Sequence, residues 1–130
     1  KGNNIFTFPL KAPEIKSEGK KKIIQTSKAI ADLGIAFVIT TLGSKGCLIY
    51  DRENEKVIEI PAVKVNAVDT VGAGDCFNGV LASKLCSGET IVNAVKYATA
   101  AASIAVTRKG AQDSMPYAEE IEEQFKKLSH

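Results

Sequence analysis

The hydrophobic positions of the N-terminal half predict a strand, a helix and a second strand. Residues 5–8, Ile-Phe-Thr-Phe, form a short apolar run that stops at Pro9, which favours a short strand. From Ser17, a residue type suited to an N-cap, apolar residues recur at helical spacing until Gly34 and predict a helix. The run 35–41 is apolar without polar alternation, which predicts a strand covered on both faces, as in a parallel sheet. This order indicates one arm of a doubly wound α/β fold.

The middle of the chain predicts a β-hairpin. Residues 47–50 and 56–60 have the apolar, β-branched character of strands, and the polar residues 52–55 between them favour a turn. Pro61 ends the second strand, and the two valines in 63–65 indicate a further short strand.

The C-terminal half predicts three helices. The first runs from Gly74 to about Ser87, and the second runs from about Glu89 to Val106, with alanines that permit close packing against a neighbour. The third begins near Pro116, a residue suited to the first helical turn. Its first turns carry four glutamates, which we interpret as a solvated face matched to the helix dipole rather than a metal site.

Length and composition favour one domain of an ordinary globular class. The chain has 130 residues, of which 45% are hydrophobic and 25% charged, so residues 1–130 are interpreted as a single α/β segment. Lys and Arg number 17 against 15 Asp and Glu, and this balance predicts neither a nucleic-acid nor a membrane partner. The apolar stretch 98–106 is too short to span a bilayer. With no long apolar segment at the N-terminus, a cytoplasmic protein is expected.

The cysteines indicate a reducing compartment. Cys47, Cys76 and Cys86 are odd in number and form no Cys-x-x-Cys pair, which argues against a disulfide framework and a zinc site. Cys76 stands at a predicted helix start, where its pKa could be lowered. A small buried side chain is the favoured interpretation of that residue.

The segment 69–75, Asp-Thr-Val-Gly-Ala-Gly-Asp, carries the strongest chemical signal. A glycine-rich loop runs into the first turn of a helix, where unpartnered N–H groups and the helix dipole favour a phosphate. Asp75 places a carboxylate at the same turn, as a general base next to a phosphoryl group would be placed. Spacing alone leaves an alternative open, in which Asp75 caps the helix and the glycines supply positive φ angles.

The segment 43–46, Gly-Ser-Lys-Gly, has two further interpretations. It lacks the spacing of a P-loop but matches the Gly-x-x-Gly loop with which KH domains hold nucleic acid. Strand-like runs flank it on both sides, whereas the KH loop joins helices, so a plain hairpin turn is favoured.

The segment 69–75 resembles the second signature of the ribokinase family of sugar kinases, the phosphofructokinase B superfamily. The resemblance continues through 77–79, Phe-Asn-Gly, and returns at 105–112, Ala-Val-Thr-Arg-Lys-Gly-Ala-Gln, a string typical of ribokinases. It covers about residues 35–124. It implies a ribokinase-like three-layer α/β/α fold, of which this chain is the C-terminal, nucleotide-binding part.

The resemblance also implies roles for individual residues. Asp75 matches the catalytic base, which deprotonates the sugar hydroxyl and contacts the sugar. The amides of Gly72, Ala73 and Gly74 match the anion hole for the γ-phosphate. The residues matching the ATP site are Thr41, Gly43, Ser44 and Gly46, together with Thr99, which stands where many ribokinases carry a histidine.

Two metal ions are implied by the same resemblance. Ribokinases bind an activating monovalent cation, usually potassium, at positions that match Asp69, Val71, Ala105, Arg108, Gly110 and Ser114. Magnesium accompanies ATP, but the Asn-x-x-Glu motif that helps to place it is not found before Thr41.

The function implied is Mg-ATP-dependent phosphorylation of a sugar hydroxymethyl group, with D-ribose converted to ribose 5-phosphate. A kinase for another sugar or a nucleoside is an alternative. Because family members are more than twice as long, a non-catalytic nucleotide-binding fragment without the sugar pocket is another. A homodimer is expected for the full-length enzyme, and self-association through an exposed sheet edge is expected for the fragment.

Overall fold

The computed structural model describes residues 4–9, 17–62, 72–107 and 118–128. The chain divides into two compact units, Lys1–Pro61 and Ala62–His130, which are described separately. Within the described residues the first unit contains four strands and one α-helix, and the second contains three α-helices. No helix in these ranges combines the length and apolarity that a membrane span requires.

The first unit is a mixed four-stranded sheet with a helix. Its elements are β1 (Ile5–Pro9), α1 (Ser17–Ala31), β2 (Phe37–Thr41), a short 3₁₀ helix (Gly43–Lys45), β3 (Cys47–Asp51) and β4 (Lys56–Ile60). The strand order is β1-β2-β3-β4, with β1 parallel to β2 and the other pairs antiparallel. The predicted hairpin of β3 and β4 is confirmed. The parallel environment predicted for β2 holds on one side only, because the turn after β2 returns the chain beside it.

Strand β2 is buried on both faces, as its apolar run predicts. Val38 packs with Ala31 of α1 and Tyr50 of β3, so its side of the sheet is the one covered by α1. Ile39 points to the opposite face because side chains alternate along a strand. Val38 and Ile39 both have no exposed surface.

Helix α1 ends three residues before the glycine that the sequence suggested as its end. The amides of Gly34 and Ile35 donate to the Ala31 carbonyl at 2.9 and 3.1 Å, so they satisfy a carbonyl at the end of the helix. Gly34 has φ +107°, a conformation that L side chains rarely adopt. Gly34 therefore lies beyond the last residue of α1 and caps the C-terminal end of the helix.

The turn between β3 and β4 stores backbone strain at one residue. The Asp51 carboxylate accepts hydrogen bonds from the backbone amide of Asn54 at 3.2 Å and from its Nδ2 at 2.8 Å. Glu55 follows with φ 51°, and it is the one non-glycine residue with positive φ in the described part of the chain.

Replacing Glu55 with glycine is expected to stabilise the protein by about 0.5–1 kcal/mol. Relief of the left-handed penalty of ~1–2 kcal/mol exceeds the added backbone entropy of glycine, ~0.5–1 kcal/mol. Urea unfolding measures the change. Glu53→Gly is the control, because Glu53 lies in the same turn without positive φ and should lose stability. Equal effects of the two substitutions would contradict this account of the turn.

The second unit packs three helices around alanines. Its elements are α2 (Ala73–Cys86), α3 (Ile91–Ala105) and α4 (Ala118–Leu128). All three predicted helices are thus present, although Pro116 lies outside the described residues, as does the strand predicted at 63–65. Helix α3 contacts both α2 and α4, and the close packing predicted from its alanines is confirmed. The fully buried alanines are Ala94, Ala98, Ala100, Ala101 and Ala105.

Tyr97 of α3 joins the three helices of this unit. Its ring stacks on Phe125 of α4 with centroids 3.9 Å apart, and Lys84 Nζ of α2 lies 4.1 Å from its centroid. Its hydroxyl donates to the Glu122 carboxylate at 3.5 Å. Burial, followed by the hydrogen bond and charge of Glu122, raises the pKa of Tyr97 to about 12. The phenol therefore stays neutral as part of the packing.

Candidate active site

The N-terminus of α2 presents backbone amides that the helix does not use. Gly72 is the N-cap, in the left-handed conformation with φ 83° and ψ −7°. The Cys76 amide donates to the Gly72 carbonyl at 2.9 Å, which is the bond that begins the helical ladder. The amides of Gly72, Ala73, Gly74 and Asp75 precede that bond and have no intrahelical acceptor. Three of them are the amides predicted for the anion hole, and the helix dipole adds positive potential there.

Asp75 occupies the first turn of α2 and is exposed. No hydrogen bond or ion pair joins its side chain to another residue in the described ranges. The alternative in which Asp75 caps the helix is therefore not supported, since Gly72 is the N-cap. A carboxylate held on a helix, with no partner among the described residues, is available to an incoming hydroxyl group.

Gly74 does not have the positive φ considered for it in the capping alternative. It lies within α2, and a Cβ atom built on it meets no atom within 4 Å. Among the described residues, neither the backbone conformation of Gly74 nor the packing around it therefore demands glycine at this position. The open space beside Gly74 is consistent with the close approach of a ligand to its backbone.

The predicted nucleotide loop belongs to the first unit. Thr41 ends β2, and its hydroxyl lies 3.5 Å from the Phe8 carbonyl of β1, to which it donates. The 3₁₀ helix containing Gly43 and Ser44 follows, and Gly43 and Gly46 have φ of 57° and 91°. The Leu42 amide donates to the Gly46 carbonyl at 2.7 Å and closes the turn. A turn between antiparallel strands confirms the hairpin interpretation and excludes the KH loop.

The remaining predicted site residues are only partly described. Thr99 lies in α3 with 7% of its surface exposed, so little of it can contact a nucleotide without rearrangement. Ala105 is the last residue of α3, where carbonyl groups lack intrahelical partners and carry the negative end of the dipole. Ala105 has no exposed surface, and its role as a cation ligand stays a prediction. The other predicted cation ligands lie outside the described residues: Asp69, Val71, Arg108, Gly110 and Ser114.

Two surface clefts are lined by other residues. One, of about 220 Å³, lies between the end of α3 and α4, and includes Thr107 and Gln124. The second, of about 380 Å³, includes Lys28 and Arg52 beside the β3–β4 turn. Neither contains a residue predicted for the site. In the described residues, no group of three or more His, Cys, Asp or Glu side chains could hold a metal ion.

Comparison with known proteins gives a consistent family. The model of the pfkB family carbohydrate kinases matches residues 11–118. The deoxyribokinase of Salmonella typhi is 39% identical over 97 residues, which cover 75% of this chain and 31% of that protein.

Two solved structures show the same fold. The ribokinase of Thermotoga maritima superposes with a TM-score of 0.76 at 37% identity, covering 92% of this chain and 42% of that one. The ribokinase of Arabidopsis thaliana, complexed with ribose and ATP, gives a TM-score of 0.79 at 30% identity, covering 96% of this chain and 42% of that one. These similarities confirm the predicted ribokinase-like α/β class.

The similarity is confined to part of each relative. The chain spans about a third of the length of the curated relatives it matches, since 97 aligned residues make up 31% of the Salmonella protein. Within this chain, however, the family match covers most of the residues, including the whole of α2 and α3. The chain therefore belongs to the pfkB family of carbohydrate kinases.

Proposed function

We propose that the enzyme containing this chain transfers the γ-phosphoryl group of ATP to the primary hydroxyl of a sugar, with D-ribose converted to ribose 5-phosphate. The observation that carries the proposal is the first turn of α2. There the backbone N–H groups of Gly72, Ala73 and Gly74 have no acceptor within the helix. Asp75, the next residue, is exposed and has no hydrogen-bond or ion-pair partner among the described residues. Family membership supports the same chemistry.

In the proposed step, Asp75 takes the proton of the sugar hydroxyl while its oxygen bonds to the γ-phosphorus. The bond between the γ-phosphorus and the bridging oxygen breaks, and ADP leaves with the electron pair. The amides of Gly72, Ala73 and Gly74 donate to the oxygens of the transferring group. Positioning and such charge stabilisation supply most of the catalysis of phosphoryl transfer.

The chain also provides positions for the nucleotide and a potassium ion. The loop from Thr41 to Gly46 in the first unit is proposed to contact the nucleotide. Thr99, in the second unit, is nearly buried, and its contact with the nucleotide stays a prediction from the resemblance. The carbonyl of Ala105 is proposed as one potassium ligand, because main-chain carbonyls form hard oxygen sites of low charge. Magnesium, when bound with ATP, neutralises phosphate charge. No residue of this chain is assigned to it, since the Asn-x-x-Glu motif is missing.

Ribose is preferred among the sugars for two reasons. The string 105–112 is typical of ribokinases, and the two superposed structures are ribokinases. The similarity to a deoxyribokinase makes 2-deoxyribose the second candidate. Other sugars and nucleosides form the wider alternative. Any of these acceptors uses the same base and the same amides.

ADP release tests the proposal when ribose, 2-deoxyribose, fructose and adenosine are offered separately with Mg-ATP. Transfer to ribose is expected to be fastest and to increase when potassium replaces sodium. Faster transfer to another acceptor would change the substrate but retain the kinase. ATP binding without transfer to any acceptor would favour the non-catalytic alternative.

Light scattering tests the proposed assembly. The full-length enzyme is expected to be a homodimer, and the isolated fragment is expected to self-associate through its sheet edge. A monomer in either case would contradict the corresponding expectation.

A further inference from the structure

The surface cleft of about 380 Å³ in the first unit lies between the end of α1 and the β3–β4 turn. Its volume is within the range of about 300–1,000 Å³ that small-molecule sites occupy. Tyr50 of β3 is the aromatic residue that lines it. The other described lining residues are all charged: Lys28, Asp32, Arg52, Glu53 and Glu55.

The hydroxyl group of Tyr50 is open to a ligand. The Tyr50 side chain packs with Ala31 and Val38, and only 7% of the residue is exposed. Its hydroxyl makes no hydrogen bond with a described residue, yet it is not among the buried polar atoms without a partner, so it reaches the surface at the cleft. A buried tyrosine usually finds a partner for its hydroxyl, as Tyr97 does in Glu122.

The five charged side chains of the cleft also lack partners within the described ranges. None of them forms an ion pair or a side-chain hydrogen bond there. Two are cationic and three are anionic, which gives the cleft a net charge of −1. Charges of both signs that surround one hydroxyl group without pairing with each other favour a ligand that also carries both signs.

Simpler ligands match these charges less well. The three carboxylates would repel a plain anion such as phosphate, and the two cationic side chains would repel a metal ion or a diamine. Among the described residues, no three acidic, histidine or cysteine side chains are grouped so that they could hold a metal ion. A basic α-amino acid has one carboxylate and two cationic groups, so it complements both signs and brings the net charge to zero.

We propose that this cleft binds a free basic α-amino acid, represented by L-lysine. Arg52 and Lys28 donate to its carboxylate, and the guanidinium fork of Arg52 matches the two carboxylate oxygens. Glu53 and Glu55 accept hydrogen bonds from its ammonium groups, and the Tyr50 hydroxyl adds a further hydrogen bond. The ligand thereby joins the end of α1 to the β3–β4 turn. No residue of the proposed phosphoryl-transfer step takes part.

Titration calorimetry of the full-length enzyme at low ionic strength, without ATP or sugar, tests the proposal. L-lysine is expected to bind with a Kd on the order of 1 mM, because exposed charge pairs are weak. Cadaverine is lysine without its carboxylate, and 6-aminohexanoate is lysine without its α-ammonium group. Each should bind on the order of 10-fold more weakly, because one charge-assisted hydrogen bond is lost. L-glutamate and inorganic phosphate, as net anions, should bind more weakly still.

Arg52→Gln should weaken lysine binding on the order of 10-fold but leave cadaverine binding within about twofold, because only the partner of the carboxylate is removed. Lys56→Gln is the matched control. Lys56 is exposed in the same hairpin, but it precedes Val57, the strand partner of Tyr50, so its side chain points to the opposite face of the sheet. Loss of this charge should leave lysine binding within about twofold of the wild type.

Tyr50→Phe keeps the ring in the core and removes only the hydroxyl group. It should weaken lysine binding about 3–10-fold, the usual loss for one hydrogen bond. The same variant identifies the Tyr50 ring signals in the NMR spectrum of tyrosine-labelled enzyme. In the wild type these signals should shift when lysine is added and stay unchanged with phosphate.

The outcomes separate this inference from the proposed function, since neither ATP nor a sugar is present. Losses confined to Arg52→Gln and Tyr50→Phe would support the site even if no sugar accepts phosphate. No measurable lysine binding, equal affinities for lysine and cadaverine, or Tyr50 signals that do not respond would overturn it. Equal losses in Arg52→Gln and Lys56→Gln would also overturn it, because general charge attraction would then explain the binding.

Discussion

Asp75→Asn is expected to lower turnover by about 10²–10⁴-fold, the usual contribution of a general base. Asparagine has nearly the same shape but cannot take the hydroxyl proton. The side chain is exposed and makes no hydrogen bond or ion pair with a described residue, so the substitution removes no observed contact. The melting temperature should therefore stay close to that of the wild type.

The measurement is ADP release at saturating ATP and ribose, with circular dichroism to follow unfolding. Asp32→Asn is the matched control, because Asp32 is also an exposed carboxylate but lies in the turn after α1. It should retain turnover within about twofold. Unchanged turnover in Asp75→Asn would remove Asp75 from the role of base. If Asp75→Asn instead lost much of its stability, Asp75 would have a structural role that its contacts with the described residues do not explain.

Gly74→Ala is expected to reduce phosphoryl transfer on the order of 10²-fold, comparable to the loss of one donor in an oxyanion hole. The added methyl group would occupy the space through which the phosphate reaches the amides. The protein itself has room for it, since a Cβ at this position meets no atom within 4 Å. Stability should stay equal or rise by up to about 1 kcal/mol, because alanine is the better helix former.

Gly79→Ala separates the two effects. Gly79 lies in the same helix, is also exposed, and has the same open space around a built Cβ atom. Its substitution should give a similar gain in stability in urea unfolding while leaving transfer within about twofold of the wild type. Equal losses of activity in the two variants would contradict a phosphate site at the first turn of α2. If Gly74→Ala lost both activity and stability in urea unfolding, the loss of activity would be attributed to disturbed folding.

Several elements could be predicted because their signals are local. The apolar spacing of α2 and α3 is a property of neighbouring residues along the helix, and both helices form where that spacing predicted them. The hairpin of β3 and β4 follows from two apolar runs separated by four polar residues. The ends are less accurate, as at α1, because glycine caps lie outside the helices they terminate.

Some predictions stay predictions. The set of cation ligands depends on residues that, except for Ala105, lie outside the described ranges. The cytoplasmic location, the homodimer and the roles of Thr41, Gly43, Ser44, Gly46 and Thr99 at the nucleotide likewise await measurement. These predictions come from the resemblance to a family, and no contact observed in this chain tests them.

The sequence by itself determined that this protein contains a glycine-rich turn entering a helix, with an acid at residue 75 and alanine-rich packing in the helix that follows. It did so because cap chemistry and helical periodicity act over a few residues. Only the tertiary structure decided that Asp75 faces outward without a described partner, that Gly72 rather than Asp75 caps the helix, and that β2 has one parallel and one antiparallel neighbour. It also decided that Cys76 packs with the end of α3. Pairing direction and burial depend on contacts between residues far apart in the chain, and no local pattern specifies them.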